Sequence, residues 1–269
     1  MNRNLLDGKS VVIAGSGSGV GRAGALLFAQ EGAQVVVADL REDWAKDTVA
    51  QIEADGGTAV AIGCNVVDED DVAAAVGLAV EQFGRLDIMW NNVGISTPRL
   101  GMTFTDHTVA DFEKLLMVNG MGMFTGCRQA VLQFRRQAES GNDEDRAGGV
   151  IVNTASVAGL VGFGGVPYGA SKAIGIQLTR GLAVELAAEG IRVNCFCPSA
   201  MPTTNFGRVE GEEFKEQPEE YLQFAGSFQP LGRIITPEDC ANAALFLASD
   251  LSANVTGVAL PVDGGYVAK

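Results

Sequence analysis

The chain has 269 residues, of which 47% are hydrophobic and 19% charged, and 33 acidic against 19 basic residues give a net charge of −14. This size and composition favour one large α/β domain with a buried core. The excess of acid disfavours nucleic acid and anionic membranes as partners, and no apolar run approaches the ~20 residues of a membrane span.

The first predicted element is a short strand that runs directly into a glycine-rich turn. Residues 9–14 are β-branched and bounded by polar residues, as in a buried strand. Residues 15–21 read Gly-Ser-Gly-Ser-Gly-Val-Gly, and helical spacing follows over residues 22–29. Glycines at such a turn let the backbone approach a pyrophosphate at the N-terminus of the helix. The order of strand, turn and helix predicts a dinucleotide-binding unit rather than a flexible surface loop.

The second predicted strand, residues 34–38, ends at Asp39, near the ~20-residue spacing at which dinucleotide sites carry an acid. A carboxylate there accepts a hydrogen bond from the adenosine ribose 2′-hydroxyl and repels a 2′-phosphate. Leu40 is apolar, Ser18 in the turn is uncharged, and Arg41 stands one residue too late to clamp a phosphate. These features favour NAD over NADP. The alternative is that Asp39 is the N-cap of the next helix.

Strand and helix patterns alternate through the rest of the chain. Further strands are predicted at residues 58–63, 86–91, 150–155, 191–197 and 258–262, and helices at 69–83, 106–137, 168–189 and 237–249. Residues 139–149 are polar and glycine-rich and indicate an exposed loop. The alternation predicts an α/β fold over residues 1–269: a single Rossmann-like, doubly wound domain. It would hold a parallel sheet of about seven strands with helices on both faces and bind ligands at the carboxyl ends of the strands.

One predicted helix begins with Tyr168-Gly-Ala-Ser-Lys172. Side chains four residues apart share a helix face, so the phenol and the ammonium would lie side by side. A phenol titrates near pH ~10 in water, and a neighbouring ammonium favours the phenolate. Such a pair suits proton transfer to or from a secondary alcohol. A solvated helix face produces the same spacing, so the pair alone does not establish an active site.

From about residue 8 to residue 266 the chain resembles the classical short-chain dehydrogenases/reductases. Besides the glycine turn and the Tyr168–Lys172 pair, the matches are Asn91-Asn92-Val93-Gly94, Asn119, Ser156, residues 198–203 (Pro-Ser-Ala-Met-Pro-Thr) and residues 262–265 (Val-Asp-Gly-Gly). Three positions depart from the family's pattern. Ala14 replaces a threonine that ties the turn, Asn65 replaces an aspartate that contacts adenine, and Ser199 replaces a glycine beside the nicotinamide.

The resemblance implies an NAD-dependent oxidoreductase that transfers hydride reversibly between NAD and a secondary alcohol or ketone. Tyr168 would carry the proton, Lys172 would lower the phenol pKa and bind the nicotinamide ribose, and Ser156 would stabilise charge on the carbonyl oxygen. Asn119 would complete the catalytic set by holding a water that links Lys172 to solvent. The residues implied for cofactor binding are Gly15, Ser18, Gly19, Val20, Gly21, Asp39, Leu40, Asn65, Val66, Asn92, Gly94, Tyr168, Lys172, Pro198, Met201 and Thr203.

Residues 202–230 mix aromatic and acidic side chains, and the resemblance implies a mobile lid over the substrate. A plain surface helix pair is the alternative. Aromatic residues such as Phe206 and Phe224 favour a neutral, apolar or cyclic substrate, whereas the acidic residues disfavour anionic thioesters. The alternatives for function are a 3-oxoacyl-thioester reductase, which usually draws on NADPH, and a catalytically inactive nucleotide sensor. The intact catalytic set counts against the sensor.

The remaining reactive side chains predict neither a metal site nor a disulfide framework. The single histidine, His107, is isolated, and no nucleophile elbow accompanies it as a hydrolase would require. The five cysteines are scattered and odd in number, which favours a reducing cytoplasm. Cys195 and Cys197 are expected to face opposite sides of a strand as packing residues.

The resemblance also implies a homotetramer. The long helices at 106–137 and 168–189 would pack against their symmetry mates, and residues 258–266 would form a second interface. Small residues would allow close approach of these helices. They are Gly120, Gly122, Gly126, Gly169, Ala170, Ala173 and Gly175.

Overall fold

The computed structural model describes residues 4–98, 102–140, 148–201 and 218–269. One parallel sheet of seven strands runs through it in the order β3-β2-β1-β4-β5-β6-β7. The strands are β1 Ser10–Ala14, β2 Gln34–Asp39, β3 Thr58–Gly63, β4 Ile88–Asn91, β5 Gly149–Thr154, β6 Ile191–Pro198 and β7 Ala259–Val262. The order reverses after β1, so a crevice opens at the carboxyl ends of β1 and β4. The predicted Rossmann-like, doubly wound fold is confirmed.

Helices cover both faces of the sheet. They are α1 Gly19–Gln30, α2 Glu42–Ala54, α3 Glu69–Phe83, α4 Val109–Leu115, α5 Gly122–Glu139, α6 Val166–Leu186, α7 Glu219–Ser227 and α8 Pro237–Ala248. Alternate residues of each strand point to opposite faces, so one strand feeds two cores. In β1, Val11 and Ile13 join the core under α1, α2 and α8, whereas Val12 and Ala14 join the core under α3, α5 and α6.

The predicted long helical region at 106–137 is confirmed, since residues 109–139 are continuously helical, but it is not α-helical throughout. The chain forms a 3-10 turn at Phe104–Asp106, then α4, then a π-helical turn at Leu116–Met121, and only then α5. Close packing surrounds the π turn, since a Cβ on Gly120 would lie 2.9 Å from Ile174 Cδ1. π turns within α-helices concentrate at functional sites, and this one carries Asn119.

Two predicted segments fall partly outside the described residues. Of the loop expected at 139–149, only the ends are described: Glu139 closes α5 and Gly149 opens β5. Of the lid expected at 202–230, residues 218–230 are described, and they contain α7. Phe206 and Thr203 lie outside the described residues.

The expectation that Cys195 and Cys197 face opposite sides of their strand is wrong. Both thiols are buried in one cluster with Ala155, Val157 and Ile176. Side chains two residues apart on a strand share a face, because the side-chain period of a strand is two. All five cysteines are free and buried, and burial raises the pKa of Cys127 to about 12.

The small residues expected at a helix interface mostly serve the chain's own core. A Cβ on Gly122 would lie 2.7 Å from Val66 Cγ2, and one on Gly175 would lie 2.8 Å from Met123 Sδ. Gly120, Gly122, Gly126 and Gly175 are all buried within the chain. They therefore do not offer a surface for a second copy.

Candidate active site

The glycine turn between β1 and α1 is built for close approach of a ligand to the backbone. Gly15 and Gly19 adopt φ of +80° and +53°, which favour glycine. A Cβ on Gly21 would collide with the Gly15 carbonyl oxygen. Ser18 is the N-cap of α1, but its side chain caps no N–H. The N-terminus of α1 therefore points its N–H groups to a place where an anion can bind.

Other hydrogen bonds anchor the glycine turn in place of the hydroxyl that Ala14 lacks. Ser16 Oγ donates to the Ile13 carbonyl at 2.6 Å, and Asn92 Nδ2 donates to the Gly15 carbonyl at 2.9 Å. Thr48 Oγ1 adds a contact to the Ser16 carbonyl at 3.2 Å. Three hydrogen bonds therefore hold the turn although Ala14 stands where the family has a threonine.

Asp39 lies beside this turn, at the carboxyl end of β2. One carboxylate oxygen accepts from the Gly17 N–H at 2.9 Å and the other from the Arg41 N–H at 3.0 Å. The N-cap of α2 is Arg41, so the alternative interpretation of Asp39 as that cap is wrong. Leu40 is 73% exposed. The Arg41 guanidinium pairs with Asp43 at 2.8 Å and leaves Asp39 as the charge that faces the turn.

Asn65 and Val66 follow β3 next to Asp39, whose carbonyl accepts from the Cys64 N–H at 2.8 Å. The Asn65 side chain is exposed, and its Oδ1 accepts only a long 3.3 Å bond from the Val67 N–H. Val66 is buried against α5. The amide of Asn65 is thus available at the rim of the crevice.

Ser156 and Tyr168 meet where β5 ends and α6 begins. Ser156 Oγ accepts from the Ala158 N–H at 3.1 Å, lies 3.4 Å from the Pro198 carbonyl and hydrogen-bonds the phenol of Tyr168. Tyr168 is only 8% exposed. Burial raises the pKa of Tyr168 to about 12, although the bond with Ser156 acts to lower it. The phenol is therefore protonated at neutral pH in this arrangement.

Lys172 lies one turn further along α6 and is 3% exposed. Its Nζ donates to the Thr154 carbonyl at 3.2 Å, and a Cβ on Gly94 would lie only 2.6 Å from it. Glycine at 94 thus makes room for the ammonium. Burial lowers the pKa of Lys172 to about 8. The alternative of a solvated helix face is wrong, because Tyr168 and Lys172 are both buried. Burial sets the net direction of the Tyr168 pKa, and the lowering of that pKa by Lys172 stays a prediction.

Asn119 is fully buried in the π turn and is held by the protein itself. Its Oδ1 accepts from the Ile95 N–H at 2.8 Å, while its Nδ2 donates to the Ile95 carbonyl at 3.0 Å and to Ser171 Oγ at 2.9 Å. Both N–H donors are used, so only an acceptor of Asn119 is left for a water. The π turn places this residue beside Gly94 and α6.

The segment after β6 closes the site on the side of Ser156. Pro198 ends the strand, and Ser199 is bound through its N–H to the Val262 carbonyl at 3.2 Å. Ser199 Oγ also accepts from Gln229 Nε2 at 3.0 Å. Met201 lies against Cys240, with 3.7 Å between the two sulfur atoms. The serine that replaces the family's glycine is thus bonded to the end of the lid segment.

The sequence analysis missed Thr154 and Trp90 as site residues. Thr154 binds Lys172 through its carbonyl and Asn92 through its hydroxyl, and Trp90 donates to that hydroxyl. Thr154 stands two residues before Ser156 on the predicted strand, which was a signal that it lies near the site. The direction of its hydroxyl could not be inferred from the sequence.

Comparisons with known proteins agree with this architecture. A crystal structure of a short-chain type dehydrogenase/reductase from Mycobacterium marinum superposes with a TM-score of 0.83 at 30% identity, covering 98% of this chain and 97% of that one. A family model described as enoyl-(acyl carrier protein) reductase matches residues 14–267. The chain belongs to the short-chain dehydrogenase/reductase family. The resemblance seen in the sequence is thereby confirmed.

Relatives within the short-chain dehydrogenases/reductases are oxidoreductases. Secoisolariciresinol dehydrogenase of Forsythia intermedia is 39% identical over 97% of this chain and 90% of that protein. A 2,5-dichloro-2,5-cyclohexadiene-1,4-diol dehydrogenase of Sphingobium indicum is 37% identical over 98% of each chain. A 7α-hydroxysteroid dehydrogenase solved with NADH has a TM-score of 0.83 at 32% identity, over 97% of this chain and 96% of that one. This chain is accordingly an oxidoreductase, and a nicotinamide cofactor is indicated.

None of the helices described is both long and apolar enough to cross a membrane. Among the described residues, no group of three or more histidine, cysteine or acidic side chains is arranged to hold a metal ion.

Proposed function

We propose that this chain catalyses reversible hydride transfer between NAD and a secondary alcohol or ketone. The observation that carries the proposal is the buried cluster of Ser156, Tyr168 and Lys172. Ser156 follows β5 at the same carboxyl edge of the parallel sheet as the glycine turn after β1. Gly94 lies next to the Lys172 ammonium, which a Cβ at this position would approach to 2.6 Å. Proton-carrying groups and a dinucleotide cradle thus lie at one edge of the sheet.

The residues present fit a nicotinamide dinucleotide. The uncapped N-terminus of α1 suits a pyrophosphate, and a Cβ on Gly17 would lie 2.9 Å from the Asp39 carboxylate, so the turn and the acid share one small space. Lys172 would bind a ribose, and the segment from Pro198 to Met201 would contact the nicotinamide. When bound, the nicotinamide ring accepts or supplies the hydride.

The preference for NAD follows from charge. Asp39 would accept from a free 2′-hydroxyl and repel a 2′-phosphate. Arg41, the nearest cation, is already paired with Asp43 and stacked 4.7 Å from the Trp44 ring centre. A 2′-phosphate would therefore meet the Asp39 carboxylate, and Arg41 would have to leave Asp43 to bind it.

The chain's own residues supply the proton chemistry. In reduction, Tyr168 donates its phenol proton to the carbonyl oxygen of the substrate while Ser156 Oγ–H stabilises the charge that develops there. In oxidation the phenolate removes the hydroxyl proton as hydride leaves the carbinol carbon. Lys172, as the ammonium, stabilises the phenolate that each reduction leaves behind. Asn119 fixes the segment at Ile95, next to the lysine.

The substrate that we propose is neutral and apolar or cyclic. Tyr221, Phe224 and Phe228 are all at least 44% exposed on or just after α7, and the last two stack edge to face at 4.9 Å. Exposed aromatic side chains on a lid can pack against the apolar surface of a ring-bearing substrate. The names of the relatives, a hydroxysteroid dehydrogenase and a cyclohexadienediol dehydrogenase, agree with this class.

A second candidate is a 3-oxoacyl-thioester reductase. The description of the matching family model, which names an acyl carrier protein, favours it. The net charge of −14 counts against it, because carrier proteins and CoA bring further negative charge. A nucleotide sensor without turnover is disfavoured, since Asn119, Ser156, Tyr168 and Lys172 are all present.

A substrate screen tests the proposal. Purified protein is mixed with NAD or NADP and a panel of cyclic and linear secondary alcohols, and the reverse reaction is run with ketones and with acetoacetyl-CoA. The absorbance of the reduced cofactor reports turnover. We expect the highest kcat/KM with NAD and a cyclic neutral alcohol. A clear preference for acetoacetyl-CoA with NADPH would establish the second candidate instead.

The proposal also covers the compartment and the oligomeric state of the enzyme. Its five free thiols suit a reducing cytoplasm. We propose a homotetramer that forms through exposed apolar side chains of the π turn and α5, namely Met117, Met121 and Phe124. A second isologous interface at residues 258–266 would complete a tetramer with dihedral symmetry.

A further inference from the structure

A buried chain of hydrogen bonds runs from the core to the glycine turn. The indole Nε1 of Trp90 donates to Thr154 Oγ1 at 2.9 Å, and Thr154 Oγ1 donates to Asn92 Oδ1 at 3.1 Å. Asn92 Nδ2 then donates to the Gly15 carbonyl at 2.9 Å. Trp90 is fully buried, and Thr154 is 7% exposed. Three side chains thus connect β4 and β5 to the turn after β1.

The two ends of this chain fix the direction of every bond in it. An indole N–H can only donate, and a carbonyl oxygen can only accept. Thr154 Oγ1 must therefore accept from Trp90, and its single proton is left for Asn92 Oδ1. The amide of Asn92 is thereby held in one orientation, with its Nδ2 towards Gly15. Without the indole N–H, the threonine hydroxyl loses its buried donor, and its contact with Asn92 Oδ1 is then the bond that holds it in this chain.

The same threonine also contacts the lysine of the active site. Its main-chain carbonyl accepts from Lys172 Nζ at 3.2 Å. Displacement of Thr154 would therefore move two features together: the carbonyl that binds the ammonium and the hydroxyl that orients Asn92. The cofactor cradle and the proton-transfer group are linked through this one residue.

The indole ring is itself tightly held. Its ring centre lies 5.3 Å from that of Phe28 and 5.9 Å from that of Phe196. A Cβ on Gly24 would collide with the ring, so α1 is shaped around it. The ring therefore packs beside α1, the helix that follows the glycine turn, while its N–H enters the hydrogen-bond chain.

We propose that Trp90 is a positioning residue of the cofactor site. Its N–H anchors the Thr154 hydroxyl, which holds Asn92, and Asn92 in turn holds the Gly15 carbonyl in the orientation that the dinucleotide needs. The inference rests on the proposed function, since it concerns the binding of NAD(H). Its consequence is that loss of one buried N–H, on a residue that is not among those implied to contact the cofactor, weakens cofactor binding.

Four variants of the full chain test this inference. Trp90→Phe removes the N–H but keeps an aromatic ring, and Thr154→Val removes the hydroxyl but keeps the main-chain carbonyl. Thr154→Ser restores a hydroxyl. Phe28→Leu is the matched control, because it disturbs packing on the same ring without touching the hydrogen-bond chain.

Isothermal titration calorimetry with NADH is the main readout, with thermal unfolding and the KM for NAD beside it. Trp90→Phe and Thr154→Val should each raise the Kd for NADH by about three- to tenfold, the range for a lost buried hydrogen bond. The double variant should bind no more weakly than the weaker single variant, because both break the same chain. Thr154→Ser should recover most of the affinity that Thr154→Val loses. Phe28→Leu should lower the Tm but leave the Kd within about twofold.

Three results would overturn the inference alone: unchanged Kd in both single variants, strictly additive losses in the double variant, or an equal loss of affinity in Phe28→Leu. The last would mean that packing, and not the N–H, positions the site. A wild-type chain that does not bind NADH at all would overturn the proposed function and this inference with it.

Discussion

At the residue scale, the carboxylate of Asp39 is the group that decides between the two nicotinamide cofactors. It accepts from the Gly17 N–H in the glycine turn, so its charge is fixed beside the cradle. Replacement of Asp39 by alanine together with Leu40→Arg should narrow or reverse the preference for NAD, because a repulsive charge is lost and a cation gained. The measurement is kcat/KM with NAD and with NADP. Asp47→Ala, which removes an exposed acid elsewhere on α2, should leave the ratio unchanged, and comparable wild-type values for the two cofactors would refute this role of Asp39.

The pKa values of two further residues set the expected pH dependence of ketone reduction. Burial raises the pKa of Tyr168 to about 12 and lowers that of Lys172 to about 8. Below about pH 8 the phenol holds its proton and the lysine its charge, so both are ready for reduction. As the pH rises through about 8 the lysine loses its charge, and kcat/KM for ketone reduction should fall. Lys172→Met should be slow and show no such fall. A wild-type profile that stays flat to about pH 10 would contradict this assignment.

At the element scale, α7 is the part of the expected lid that the structure describes. Its Phe224 is 60% exposed, and within the described chain its buried residues are limited to Gly226. Few buried contacts mean a low free energy of local opening. Hydrogen exchange should therefore show weak protection of residues 219–227 in the free protein and stronger protection with NAD and substrate. As a control, α8, which is packed into the core, should be protected in both states. Equal protection of α7 in the free and the bound protein would contradict its role as a lid.

The sequence predicted elements well where local pattern and tertiary packing agree. The strand Thr58–Gly63 and the helix Glu69–Phe83 have the predicted bounds. The π turn at Leu116–Met121 could not be predicted, because it depends on close packing of Gly120 and Gly122 against other elements. Spacing placed Tyr168 and Lys172 together, but burial, which sets their pKa values, is a property of the whole fold.

At the scale of the whole molecule, the expected tetramer needs an apolar surface that the buried glycines do not supply. Met117, Met121 and Phe124 are each between 43% and 46% exposed and follow one another at helical spacing. Light scattering at micromolar concentration should give the mass of a tetramer for the wild type. Met121→Glu should reduce that mass, whereas Leu251→Glu, at an exposed site away from this helix, should not. A stable wild-type monomer would refute the tetramer.

The central claim is that a buried tyrosine at the edge of a dinucleotide cradle carries the proton of a hydride transfer. The most direct test is the rate of NADH formation from the best alcohol of the screen, in the wild type and in Tyr168→Phe, with NADH binding measured for both. The account predicts that the variant loses turnover almost completely while its Kd for NADH stays close to the wild-type value, because the ring remains and only the proton carrier is gone. If Tyr168→Phe kept more than a few per cent of the wild-type rate, about 2 kcal/mol or less of barrier would depend on the phenol, and another group would be the acid and base.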